Sequence, residues 1–194
     1  PKKKIELTDL FKVLRNHNEG SEYDKSENYT KGNPHEHGRA VCSRTTQYGF
    51  VAQLRRDMPK EIASVMWLAP FRPCVHPFTQ WYFGTSEIPE GFAEGDWRKA
   101  LDNHFDPIED VFEYAPDNQF LEFVKHAKEV DGNYASQINQ LKHKIQMMES
   151  ELIKNQAAFE MKMMELSGKD SRMIKTSINI YCKNQLERAR EIIK

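Results

Sequence analysis

With 194 residues, 39% hydrophobic, 29% charged and 11% aromatic, the chain has the composition of one folded domain, or of one domain with a helical extension. Its 28 basic and 29 acidic residues leave a net charge of −1, which excludes the basic excess of a large nucleic-acid footprint. Cys42, Cys74 and Cys182 are odd in number and widely spaced, which excludes a disulfide framework and a CxxC metal pair. No run of about 18 apolar residues is present to cross a membrane, and no secretory signal is seen. The expected partners therefore include neither nucleic acid nor membrane. The compartment stays open between cytoplasm and an extracytoplasmic space. The start at Pro1, without an initiator Met, reads as a processed or cut product.

Residues 5–17 carry Leu7, Leu10, Phe11 and Leu14 on one helical face. Thr8 or Asp9 is placed to open this helix and Gly20 to stop it. The polar stretch 18–38 reads as a long loop, of the kind that needs a job in a compact domain.

Residues 39–95 hold most of the β-prone and aromatic sequence. Alternation predicts a first strand over about 39–56, with Tyr48, Phe50, Ala52 and Leu54 turned toward a core. A turn over Arg55-Arg56-Asp57-Met58-Pro59 leads to a second strand over 62–69, apolar on both faces. A third, over 75–83, completes an antiparallel meander that ends at Gly84.

From residue 96 onward the pattern is helical. Asp96, Asp106-Pro107 and Asp117 read as helix starts. A heptad-like seam runs through Ile138, Leu141, Ile145, Met148, Leu152, Phe159, Met163 and Leu166, with a skip at Asn155. Ser167-Gly168 ends it. A last helix over about 170–193 puts Met173, Ile174, Ile178, Tyr181, Cys182 and Leu186 on one side. The two helices are expected to form an antiparallel hairpin over the sheet, with a coiled-coil dimerisation arm as the alternative. The division is thus 1–38, helix and loop; 39–95, sheet; 96–194, helices, all within one domain.

Candidate chemistry is sparse. His35-Glu36-His37 resembles a metal pair, yet no third ligand has suitable spacing, so it reads as a polar lead-in to the first strand. Cys42 and Cys74 could be nucleophiles, but only His76 lies near either in sequence, so both read as buried strand cysteines. Arg44, predicted on the face shared with Tyr48 and Phe50, would need a counter-charge or would serve a substrate carboxylate or oxyanion. Arg72, between prolines, and His76 are weaker loop candidates. No phosphate loop, GxSxG elbow or HExxH motif occurs, and no cofactor is called for.

Four segments in order, LFKVLRNHNEGSEYD (10–24), YGFVAQLRRDMP (48–59), IASVMWL (62–68) and PFTQWYFGTSEIPEGF (77–92), resemble the C-terminal part of the dipeptidase A/secernin family of cysteine dipeptidases. The resemblance spans residues 1 to about 165, and its most specific phrase surrounds Gln53, Arg55 and Trp67. It implies an α+β fold, with the meander forming part of the four-layer αββα sandwich of an N-terminal-nucleophile hydrolase. A mature N-terminal cysteine would attack the peptide carbonyl, with its own α-amine as general base.

Residue 1 here is Pro, and none of the three cysteines is terminal, so no catalytic residue is assigned within this chain. The chain is expected to be the C-terminal portion of a thiol peptidase, inactive alone and completed by the N-terminal half of the same hydrolase. Dipeptides would be the substrate of that parent, and homo-oligomerisation is left open. Arg44 carries over as a pocket residue from a Ser-Arg phrase in the bile-salt-hydrolase branch of the superfamily, with His35, His37 and Asp24 as neighbours. The alternatives are a non-catalytic sheet-and-hairpin interaction module and a degenerate family member.

Overall fold

The computed structural model describes residues 4–24, 26–27, 29–30, 32–36, 39–93, 98, 118–167 and 169–194. Helix α1 (Leu7–Leu14) opens one residue earlier than Thr8. Its N-cap is Glu6, closed by a reciprocal capping box with Asp9. A 3₁₀ turn (Pro34–Glu36) is the regular element assigned in the long loop that follows. Then come β1 (Tyr48–Leu54), the single-turn α2 (Lys60–Ala63), β2 (Ser64–Pro70) and β3 (Thr79–Tyr82). Three helices complete the described order: α3 (Phe120–Gly132), α4 (Tyr134–Ser167) and α5 (Ser171–Ile192). The helix starts read at Asp96, Asp106 and Asp117, like the stop at Gly168, lie outside the described residues.

The sheet is a three-stranded antiparallel meander in the order β1-β2-β3. Its strands are shorter than their sequence patterns. Residues 41–47 form turns, because Ser43 N donates to Thr46 Oγ1 (2.9 Å) and Thr46 N donates back to the Ser43 carbonyl (3.1 Å). Arg44 therefore sits in an exposed turn, outside the strand expected to carry it. The start of the third predicted strand is likewise a turn. Val75 N bonds the Arg72 carbonyl (3.2 Å) between Pro73 and Pro77, which cannot donate to a ladder. Gly84 closes β3 against α2: its N–H bonds the Glu61 carbonyl at 2.8 Å, and a Cβ there would stand 2.7 Å from that oxygen. Only glycine fits so close an approach.

The expected orientation of β1 is reversed. Val51 pairs with Trp67 and Gln53 with Val65 on the face covered by helices. Tyr48 (59% exposed), Phe50 (52%) and Leu54 (77%) lie on the other face. The polar Gln53 can point inward because its Oε1 accepts from Trp67 Nε1 (2.7 Å) and Gln156 Nε2 (2.9 Å). A buried amide so satisfied costs little, and a one-residue alternation then carries the apolar set outward.

On the covered face, Phe11 of α1 stacks on Phe78 (4.1 Å between centroids) and tilts against Trp67 (5.5 Å). Val65, Trp67 and Tyr82 meet Leu152 and Met163 of α4 and Ile174, Ile178 and Cys182 of α5 in the main core. The hairpin of α4 and α5 thus closes over the sheet as expected. Its seam differs in detail: buried Gln156 and Glu160 occupy turns where Phe159 was expected to point inward. They bond sheet groups, with Glu160 Oε1 accepting from Arg55 (2.5 Å), Tyr82 (3.0 Å) and Gln156 (2.8 Å). A second, smaller core lies under α3 and the first turns of α4. Tyr29, Cys42, Cys74 and Val75 pack there on Ala127, Val130, Tyr134, Ile138 and Ile145.

Candidate functional site

The second core holds the densest chemistry among the described residues. His17 follows α1, His35 sits in the 3₁₀ turn, Cys42 precedes the β1 turns, and Cys74 lies in the proline-bounded loop after β2. Their ligand-type atoms all fall within 4.8 Å of one another, and all four residues are buried. His17 Nε2 stands 3.1 Å from His35 Nε2, which stands 3.4 Å from Cys74 Sγ.

Each imidazole is backed by a carboxylate. His17 Nδ1 faces Glu19 Oε1 at 3.3 Å, and Tyr29 donates its hydroxyl to the same oxygen. His35 Nδ1 faces Asp131 Oδ1 at 2.9 Å. Arg72 Nη1 donates to both Asp131 oxygens (2.9 and 2.7 Å) and lies 2.8 Å from His35 Nδ1. Burial alone would raise Glu19, but its bonds from His17 and Tyr29 outweigh that and hold the carboxyl well below the usual range. Burial would lower His17, yet Cys74 and Glu19 push it up to about 9. Burial and the neighbouring Cys42 push Cys74 up to about 11. A buried thiol so held is a poor nucleophile at neutral pH.

The residues singled out in the sequence are distributed around this cluster. His35 is within it, and Arg72, itself buried, is tied to Asp131 behind it. Arg44 is exposed at the rim of a cleft that also touches His35, Arg72 and Asp131. His76 is buried nearby but faces elsewhere: Nδ1 donates to the Arg72 carbonyl (3.1 Å), and Nε2 meets His126 Nδ1 (3.1 Å). Asp24 caps a local turn, accepting from Ser26 N and Oγ. His37 lies outside the described residues. The partners that His35 lacked in sequence are His17, Cys42 and Cys74, in the pattern His17-x17-His35-x6-Cys42-x31-Cys74. That spacing belongs to no short ligand motif. The one signal was His17, His35 and Cys42 within the polar, irregular stretch before β1.

The other unusual surface is the uncovered sheet face. Register puts Tyr48, Phe50, Ala52 and Leu54 of β1 beside Met66 and Leu68 of β2, with Trp81 of β3 next in the row. Leu54, Phe83, Tyr48 and Phe50 are each more than half exposed. Helices cover one side of the meander, and nothing described covers the other.

Residues 1–133 match the sequence profile of peptidase family C69, about two thirds of the chain. The chain belongs to peptidase family C69. Within 100 residues it is also 28% identical to a "Probable dipeptidase" of Salmonella dublin, an alignment covering 52% of this chain and 22% of that protein. The chain thus spans well under a third of the relative it matches. The C69 match ends at the α3–α4 break, short of the residue 165 to which the resemblance was traced. It includes the whole sheet, the His/Cys cluster and Asp131 behind it, while the α4–α5 hairpin lies beyond. No described helix of this C69 chain is long and apolar enough to cross a membrane.

Proposed function

We propose that this chain forms the C-terminal portion of a cysteine dipeptidase, in which a cysteine at the mature N-terminus of another stretch of the polypeptide is the nucleophile. The observation that carries this is the bare sheet face. A sheet with helices on one side and Tyr48, Phe50, Leu54 and Phe83 exposed on the other is half of a sandwich, and a second sheet of the parent hydrolase would complete αββα layering. The burial of Cys42, Cys74 and Cys182 supports a nucleophile from elsewhere.

In that assembly the attacking sulfur loses its proton to its own α-amine and adds to the dipeptide carbonyl. The same amine then protonates the leaving group, and water releases the acyl-enzyme. Arg44 would stand at the pocket wall, where an exposed guanidinium can grip the substrate's carboxylate in two-pronged fashion.

Dipeptide hydrolysis by the full-length polypeptide is the test. Replacing its first mature cysteine by Ala should abolish turnover, whereas Cys182→Ser should leave it. Arg44→Ala should cut turnover strongly with folding intact. Undiminished hydrolysis after loss of that terminal cysteine would refute the assignment.

A further inference from the structure

We propose that His17, His35, Cys42 and Cys74 form a structural zinc site that pins the long loop between α1 and β1 to the body of the domain. The inference stands independently of the dipeptidase reading.

The first ground is shape. Tetrahedral zinc with Zn–N near 2.0–2.1 Å and Zn–S near 2.3 Å has ligand–ligand edges of about 3.3–3.8 Å. The Nε2–Nε2 separation of 3.1 Å and the Nε2–Sγ separation of 3.4 Å match such edges within a few tenths of an ångström. A disulfide would use the two sulfurs and leave the converging imidazoles unexplained.

The second is the outer layer. A metal-bound Nε2 requires the ring proton on Nδ1, which must then find an acceptor. Glu19 stands at His17 Nδ1 and Asp131 at His35 Nδ1, the carboxylate–histidine arrangement that orients zinc ligands. Arg72 then neutralises Asp131 from the side. The buried Tyr134 hydroxyl stands beside Cys74, the neighbour to which it can donate, and a zinc-bound thiolate there would accept that hydrogen bond.

The third is need. Among its described residues the loop from 15 to 47 has one 3₁₀ turn, yet it buries Ser26, Tyr29, Asn33, His35 and Cys42. A stretch so long and irregular requires a staple. With four protein ligands and no open position the metal would be structural. Binding releases the two thiol protons, and Zn²⁺ with two thiolates leaves the centre neutral. A cleft lined by Lys12, Arg15, Glu19, Tyr29, Cys74 and Lys142 gives the ion a way in.

The rival is a metal-free cluster in which His35 accepts from Arg72 at Nδ1 and donates from Nε2 to His17. Metal analysis of the protein purified from zinc-supplemented cells separates the two. About one zinc per chain is expected. Exchange for cobalt(II) should give thiolate-to-cobalt charge transfer and the intense visible bands of a tetrahedral ion. Neither measurement requires a variant that folds. Cys42→Ser, Cys74→Ser or His35→Asn should remove the metal, while His143→Ala, an exposed histidine on α4, should keep it. Folded protein without stoichiometric zinc, a Cys42–Cys74 disulfide in the mass spectrum, or metal lost with His143 and retained without Cys74 would each overturn the proposal.

Discussion

Arg15 and Glu149, at the end of α1 and in the middle of α4, form a two-pronged ion pair. Nη1 reaches Oε2 at 2.9 Å and Nη2 reaches Oε1 at 2.5 Å. The pair also holds the loop between β2 and β3. Arg15 Nε donates to the Pro73 carbonyl (2.7 Å), and Phe78 N donates to Glu149 Oε1 (2.7 Å). The guanidinium lies over the Phe78 ring, 5.0 Å from its centroid. One cation thus ties helix, loop and hairpin together beside the His/Cys cluster. Glu149→Ala would leave a largely buried arginine without its counter-charge, and urea unfolding should show a loss of about 3–5 kcal/mol. Arg15→Met combined with Glu149→Leu should lose less than Glu149→Ala, because neither variant side chain is an unpaired charge. Equal losses would show that the pair acts only through packing.

A second junction joins the sheet to α4 through Gln53. Its Oε1 is the acceptor for both Trp67 Nε1 and Gln156 Nε2. Gln53→Ala would strand a buried indole N–H, with a cost of about 1–3 kcal/mol in chemical denaturation. The solvent-facing neighbour Ala52→Ser should change stability little. Similar losses from both variants would contradict the network described here.

These contacts explain which parts of the fold were legible beforehand. The meander could be read because Pro59 and Pro73 punctuate three β-prone runs, and the hairpin because α4 and α5 carry apolar residues three and four apart. The facing of β1 could not. Alternation defines two faces, but only Gln156 and Trp67, distant in sequence, decide that polar Gln53 points inward. The seam of α4 misled for the same reason, since Gln156 and Glu160 look like surface residues until Arg55 and Tyr82 are brought to them. The His/Cys cluster draws one residue from each of four separate segments. His35 has His37 as its nearest His or Cys in sequence, and His17 ends a helical run with no His or Cys near it. Nothing local in sequence marks such a set.

Acid should weaken the packing of α3 through His126. Burial, reinforced by Lys144 of α4 and by Arg72, lowers this imidazole to about 4, and its Nδ1 meets His76 across 3.1 Å. The unfolded chain takes up that proton near pH 6.5. Above that value both states are neutral and the contribution is fully present. As pH falls from about 6.5 toward 4, the unfolded state binds a proton that the native state refuses, and stability is lost. Urea midpoints measured from pH 7 to 4 should fall less steeply for His126→Gln than for the parent chain. Parallel curves would place the acid sensitivity elsewhere.

The uncovered sheet face yields the prediction that bears most directly on function. Phe50 and Leu54 are each more than half exposed on the open side of the sheet. Phe50→Lys with Leu54→Lys should therefore leave the unfolding midpoint of this chain nearly unchanged, while reducing dye binding and self-association at high concentration. On the half-sandwich reading, the same pair in the full-length polypeptide would bury two charges between sheets. It should then cost several kcal/mol or prevent folding altogether. The contrast is diagnostic. If the double variant is harmless in both contexts, the face meets water in the intact protein, and the half-sandwich reading of the fold fails with it.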